Sequence, residues 1–198
     1  MRLPVSQEAA VAQFVAQITS VGTHFISALD LAAAREYIVK LAASSKTRRI
    51  VVCGQGLSSS LFPRHATPQD FEISSRPDTS RAEFFTALRN AEIGVSPVDL
   101  AVAETGTLVI ATSDESERLV TALPKIHVAL LPRSKLVLSL KDAEPYISRI
   151  LGKVGGATIS LISGSSRTAD ISHMLVLGVH GPKELHVCLL DQELPGAS

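Results

Sequence analysis

The N-terminal part of the chain has the hydrophobic periodicity of helices. Over residues 5–45, apolar side chains recur at a spacing that puts them on one helical face. The first such face carries Val11, Phe14, Val15 and Ile18. Asp30 is a candidate N-cap for a second helix that follows it. The pattern predicts an N-terminal helical segment over 1–45, ahead of an α/β domain over 46–198.

After residue 45, short apolar runs alternate with amphipathic stretches. Continuous apolar runs are typical of strands that are buried on both faces of a mainly parallel sheet. The predicted strands are 49–53, 99–103, 107–112, 126–131, 136–140, 157–162 and 185–190. The predicted helices are 81–90, 113–123, 142–153 and 168–177. Strands that alternate with helices predict an α/β fold with an open, mainly parallel sheet.

Small, polar and turn-forming residues fill the remaining segments. Residues 57–80 are rich in Ser, Pro, Arg and Asp, and we predict a long loop there. Residues 93–97 contain Gly94 and Pro97, which favour a turn. Gly54 and Gly56 follow a strand, but the third glycine of a dinucleotide-binding motif is missing, so this segment is interpreted as a strand-ending turn.

Composition and charge narrow the function classes. The chain has 19 basic and 19 acidic residues, so no overall field attracts nucleic acid or an anionic membrane. With six Phe, two Tyr and no Trp, it offers few platforms on which bases could stack. No apolar run approaches the roughly 20 residues of a membrane-spanning helix, and no signal peptide is recognisable. These features predict a cytoplasmic protein.

Metal and cluster ligands are sparse in the sequence. The chain has 2 cysteines, without a CxxC motif, so we expect no cofactor in this chain and no iron–sulfur cluster. The histidines form no HxxxH or HxH pair, which is weak evidence for a metal, and we predict no metal site.

The segment 163–170 is the strongest candidate for ligand binding. It lies between a predicted strand and a predicted helix, where free backbone N–H groups and the helix dipole favour an anion. Arg167 adds a guanidinium that suits phosphate or carboxylate. Capping alone would account for the Ser, Thr and Asp residues but not for an arginine at the positive end of a dipole. The candidate residues here are Gly164, Ser165, Ser166, Arg167, Thr168 and Asp170.

Two further residues could carry proton chemistry. Glu104 lies at a predicted hairpin and is interpreted either as a general base or nucleophile, or as a turn residue or a partner of Arg167. His180 is followed by Gly181 and Pro182, and it is either a proton donor or acceptor, or a turn histidine bonded to backbone. His127 and His186 alternate with apolar residues in strands, which favours a core position for both.

Four motifs together resemble a known family. They are Ala103-Glu104-Thr105-Gly106-Thr107, Leu123-Pro124 followed by His127, Ser166-Arg167-Thr168-Ala169-Asp170-Ile171 and Gly178-Val179-His180-Gly181-Pro182. Their order and spacing are similar to those of the lactate utilization protein C family, which carries the LUD domain. Gly106, Thr107 and Gly181 join the candidate ligand-binding residues through these motifs.

The resemblance implies a fold similar to the NagB/RpiA/CoA-transferase group and a cytoplasmic role in oxidising L-lactate to pyruvate. The chain would be a subunit without clusters that binds a small anionic metabolite and acts with iron–sulfur partner proteins. An alternative is a stand-alone transferase or isomerase that acts on an acyl-CoA or a sugar phosphate. A third hypothesis is a scaffold whose N-terminal helices dock a partner.

Overall fold

The computed structural model describes residues 7–76, 78–153, 158–169, 175–177 and 181–195. The helices are α1 (Gln7–Ser20), α2 (Leu31–Ser44), α3 (Leu57–Leu61), α4 (Arg81–Asn90), α5 (Glu115–Arg118) and α6 (Leu140–Lys153). The strands are β1 (His24–Ala28), β2 (Arg49–Val52), β3 (Glu72–Ser75), β4 (Ile93–Pro97), β5 (Leu100–Val102), β6 (Thr107–Thr112), β7 (Ile126–Pro132), β8 (Leu136–Val137), β9 (Thr158–Ile162), β10 (Arg167–Ala169), β11 (Leu175–Leu177) and β12 (Glu184–Leu190). Short 3₁₀ turns cover Leu119–Thr121 and Arg133–Lys135.

Parallel strands form the larger sheet of the described residues. Its six strands have the order β1-β12-β7-β4-β2-β3, and every neighbouring pair is parallel. Its central strand β7 is buried along its whole length, as its unbroken apolar run requires. The predicted α/β class with a mainly parallel sheet is confirmed, while the likeness to the NagB/RpiA/CoA-transferase group stays a prediction.

The two faces of this sheet carry different layers. On one face, α2 and α3 bury a core that includes Ile38, Leu61 and Val128. On the other face, α1 and the smaller sheet pack against residues of β7 and β12, with Phe14 and Leu131 among the buried side chains. The helix α4 covers part of this second face at β2. Because successive side chains of a strand point to opposite faces of the sheet, β7 and β12 each contribute residues to the hydrophobic cores on both faces.

The smaller sheet has the order β8-β5-β6-β9. Its antiparallel pair β5-β6 is the hairpin that the sequence predicts, with Gly106 at a φ of 62° in the turn. On its other side, β6 pairs antiparallel with β9, with Leu108 opposite Ile162 and Thr112 opposite Thr158. The helix α6 packs on its outer side around Ala143.

The prediction that residues 5–45 are helical is wrong at β1. This strand lies between α1 and α2, and it pairs in parallel with β12, His24 opposite His186. The Asp30 cap is confirmed, since its side chain accepts the Ala33 N–H at 2.8 Å. The predicted domain boundary at residue 45 falls directly after α2. β1 lies before this boundary, but it is a strand of the larger sheet.

Three other segments differ from their predictions. The predicted loop 57–80 contains α3 and β3, and the predicted turn 93–97 is the buried strand β4. The predicted helix 168–177 is also wrong, because the described residues form the antiparallel pair β10-β11, Arg167 opposite Leu177. Its apolar residues are dense enough to fit a helical period, but Thr and Val favour extended backbone. Among the described residues, no helix has the length and hydropathy needed to cross a bilayer.

Candidate functional site

The segment after β9 and the segment before β12 meet at one cavity. The Ser166 N–H donates to the Pro182 carbonyl at 3.0 Å, and a Cβ on Gly181 would lie 3.1 Å from the Ser166 Cβ. Gly164, Ser166 and Gly181 line a cavity of about 220 Å³, as do Pro182 and His127. Three of the residues that the sequence predicts for ligand binding therefore share one wall of a cavity.

Among the described residues, no helix begins after Ser166, so the helix dipole that motivated this prediction has no source there. Arg167 and Thr168 begin β10, so a strand follows Ser166 where the sequence predicts a helix start. Ser165 is half-buried in the connecting segment. Asp170 and His180 lie outside the described residues. Any anion in this cavity must therefore be held by side chains and individual N–H groups.

A buried pair of polar side chains lies beside the cavity. The Ser96 Oγ is 2.8 Å from His127 Nε2, across the neighbouring strands β4 and β7. Nδ1 of His127 is buried and has no hydrogen-bond partner, whichever tautomer the ring adopts. An unpaired buried polar atom costs about 1–3 kcal/mol, and a ligand that bonds to it would remove that cost.

Burial also fixes the charge state of His127. Desolvation by burial, with a smaller effect from nearby His186, lowers its pKa to about 4. The ring is therefore neutral near pH 7. It offers one unpaired donor or acceptor rather than a positive charge.

Arg118 is the cation among the described residues that line the cavity. It ends α5, whose N-cap Asp114 accepts the Ser116 N–H at 2.7 Å. Its side chain is 38% exposed, and its guanidinium lies 3.6 Å from Glu115, which is itself 63% exposed. Such a solvent-screened pair is weak. Arg118 is thus free to exchange this partner for an anion in the cavity.

The predicted residues of the β5-β6 turn make close contacts with neighbouring segments. Glu104 Oε1 accepts the Leu140 N–H at 2.7 Å, where α6 begins. A Cβ on Gly106 would lie 3.1 Å from the backbone nitrogen of Ile18, so glycine allows α1 to pack closely. The Thr107 hydroxyl is 2.8 Å from that of Ser163 and connects the turn to the segment that borders the cavity.

We expect Glu104→Ala to lower the free energy of unfolding by about 1 kcal/mol, because the variant loses a helix-capping acceptor at the positive end of α6. Chemical denaturation followed by circular dichroism measures this loss. Glu36→Ala, which removes an exposed carboxylate of α2, is the matched control and should change stability by less than about 0.5 kcal/mol. Equal stability of the Glu104 variant and the parent would contradict the capping role.

Sequence reasoning missed four polar residues at this site, namely Ser96, Arg118, Thr121 and Ser160. Arg118 has one sequence signal, since it is the basic residue that ends an acidic stretch from Asp114. Ser96 lies in the strand that the sequence predicts as a turn. Ser160 lies in a strand that the sequence does predict, and only its orientation in the sheet brings it to the cavity.

Comparison with known proteins decides the family. The sequence profile of the LUD domain matches residues 11–190. The chain belongs to the LUD domain family. The family that the four motifs predict is therefore confirmed.

Curated relatives match this LUD domain over about half of their own length. It is 35% identical over 104 residues to "Lactate utilization protein C" of Shouchella clausii, covering 52% of this chain and 45% of that protein. It is 35% identical over 109 residues to the protein of the same name in Geobacillus thermodenitrificans, covering 54% and 45%. It is 33% identical over 132 residues to an uncharacterized protein of Neisseria meningitidis, covering 67% and 54%. The chain spans about half the length of the curated relatives it matches.

A solved structure supports the fold of the LUD domain. The crystal structure of a DUF162 family protein from Deinococcus radiodurans superposes with a TM-score of 0.66 at 18% identity, covering 94% of this chain and 99% of that one.

Proposed function

We propose that this LUD domain serves in L-lactate utilization and binds a small carboxylate in the cavity between Arg118 and the Gly164–Ser166 segment. The names of its relatives support the metabolic role. A volume of about 220 Å³ is below that of cavities for drug-sized ligands and suits a metabolite of a few carbon atoms.

One observation carries the proposal. Arg118 and His127 line the same cavity, and the buried Nδ1 of His127 has no hydrogen-bond partner. The guanidinium of Arg118 would pair with the carboxylate, which a planar fork of N–H groups suits well. Nδ1 of His127 would bond to the hydroxyl or carbonyl oxygen next to that carboxylate. The hydroxyls of Ser160 and Ser166 add further polar partners at the walls.

The proposal assigns electron transfer to other chains. A cubane cluster needs four thiolates, and this chain has 2 cysteines. We propose that iron–sulfur partner proteins of the lactate utilization system accept the electrons. In this arrangement the LUD domain holds or orients the anionic substrate or product.

The transferase alternative depends on a free carboxylate at Glu104. In the structure this carboxylate accepts the Leu140 N–H instead. Covalent labelling of Glu104 by an acyl-CoA would favour that alternative and would count against the proposal.

We expect Arg118→Gln to weaken binding of L-lactate or pyruvate by at least about tenfold, because a charge-assisted hydrogen bond is worth roughly 1.5–3 kcal/mol. Isothermal titration calorimetry at low ionic strength measures the affinity, and the variant should keep the stability of the parent. The affinity of Arg167→Ala is measured in the same way, because Arg167 directly follows Ser166, which lines the cavity.

The matched control is Arg89→Gln, which removes an exposed arginine of α4 and should leave the affinity unchanged. A result in which Arg118→Gln and the parent bind both acids equally would overturn the assignment of the cavity. Loss of binding in the Arg167 variant alone would move the cationic role to Arg167.

A further inference from the structure

The amino-terminal ends of β1 and β12 bring three potential metal ligands together. His24 and His186 are paired in the parallel register of the two strands. Glu184 lies two positions before His186 in the same strand, so both side chains point to the same face of the sheet. This cluster lies on the face that α2 covers, whereas the cavity proposed for the carboxylate lies on the other face.

The three side chains are already close to one another. One ligand atom from each of His24, Glu184 and His186 lies within 4.8 Å of the other two. His186 Nε2 is 3.2 Å from a carboxylate oxygen of Glu184. The rings of His24 and His186 are stacked, with centroids 4.4 Å apart.

Tyr37 of α2 sets the orientation of the buried histidine. Its hydroxyl is 2.6 Å from His186 Nδ1. When Nδ1–H donates to this hydroxyl, the lone pair of Nε2 is left to face Glu184. Histidines that bind metals are commonly held through their second nitrogen in this way. The His186 side chain is 4% exposed, which keeps this arrangement rigid.

We propose that His24, Glu184 and His186 form a binding site for a divalent transition-metal ion, with Zn²⁺ as the probe. Two imidazoles and one carboxylate are a ligand set that Zn²⁺ accepts, with water completing four-coordination. Zn–N and Zn–O distances of about 2.0–2.2 Å require the ligand atoms to approach by roughly 1.5 Å.

The required movement is confined to exposed side chains. His24 and Glu184 are exposed, and His186 stays in place. The His24 ring must leave the stack and turn, because parallel rings direct their lone pairs side by side and not at one point. No change in the backbone of β1 or β12 is needed.

The bound ion would join an edge strand to its neighbour. In the described part of the chain, β1 is the outer strand of the larger sheet, next to β12. An ion held by residues of both strands stabilises the paired state, and the stabilisation grows with the ratio of free ion to dissociation constant. This site is independent of the carboxylate proposal, because it shares no residue with that cavity.

The experiment titrates Zn²⁺ into the full chain after chelator treatment, in competition with a chromogenic zinc chelator. We expect one Zn²⁺ site per chain. His24→Ala and Glu184→Gln should each weaken it by at least tenfold, and Zn²⁺ should raise the melting temperature of the parent more than that of either variant. Co²⁺ in place of Zn²⁺ should give the visible absorption of a four-coordinate site in the parent only.

His65→Ala is the matched control, since His65 is an exposed histidine outside the cluster, and its affinity should equal that of the parent. His186→Ala removes a buried side chain, so the two exposed positions decide the outcome even if this variant does not fold. Unchanged affinity in His24→Ala would overturn the site, and so would loss of the bound ion in His173→Ala or His180→Ala alone.

Discussion

Gly94→Ala is expected to lower the free energy of unfolding by at least about 3 kcal/mol. A Cβ at this position would lie 2.2 Å from the Val120 carbonyl oxygen and 2.9 Å from Pro124 Cγ. Overpacking usually costs about 1–3 kcal/mol, and here the obstacle is backbone, which cannot turn aside as a side chain does. Chemical denaturation followed by circular dichroism measures the loss.

The matched control for this prediction is Gly56→Ala. Gly56 has a φ of 71°, but the nearest atom to an added Cβ is 4.0 Å away. This variant therefore carries only left-handed backbone strain of about 1–2 kcal/mol. A Gly94 variant that is as stable as the Gly56 variant would contradict the role of close packing.

The same contact connects the strand to the cavity. Val120 lies in the 3₁₀ turn Leu119–Thr121, directly after Arg118, and Thr121 lines the cavity. Displacing this turn would move both the cation and one wall. We therefore expect any Gly94→Ala protein that folds to bind the carboxylate less tightly as well.

Gly94 also explains where sequence reasoning fails. Glycine and Pro97 favour a turn when only their neighbours in the sequence are considered. In the structure the glycine sits inside β4 because another part of the chain crosses it closely. That requirement comes from tertiary packing, and no local pattern contains it.

Two strands that the sequence predicts correctly, β7 and β12, are buried along almost their whole length. β7 and β12 are continuous apolar runs because helices or a second sheet cover both of their faces. β1 is short and carries a histidine and a serine, so it lacks the continuous apolar run that predicts a buried strand. It also lies between two helices with clear helical periodicity. Its partner β12 lies at the other end of the chain, and its pairing cannot be seen in any local window.

The candidate site could be predicted in part. The sequence motifs include the segments around Ser166 and Gly181. These segments contain small residues because their backbones approach each other closely in the structure. The predicted helix start after Ser166 is wrong, so the expected source of positive potential is lost. Arg118 comes from α5 instead, and its place at the cavity depends on how α5 packs against β6 and β9.

The stability of the domain is expected to fall by about 2 kcal/mol between pH 7.5 and pH 5 because of His127 alone. Burial lowers the pKa of this group to about 4 in the folded protein, while an exposed histidine titrates near 6.5. Below pH 6.5 the unfolded chain therefore binds a proton that the native protein does not. The native state loses up to about 1.4 kcal/mol per pH unit until the pH approaches 4.

Other groups also titrate in this window, so the decisive quantity is a difference between variants. Burial lowers the pKa of His186 as well, and it adds a loss of the same sign. His127→Gln removes the titration and keeps an amide that can bond to Ser96, and its stability should depend less steeply on pH than that of the parent. His65→Gln, an exposed control, should follow the parent.

Denaturation curves at half-unit steps from pH 7.5 to pH 5 measure both slopes. If the His127 variant loses stability as steeply as the parent, the ring is not held neutral by burial. Its unpaired nitrogen would then not be the fixed, uncharged partner that the carboxylate site requires.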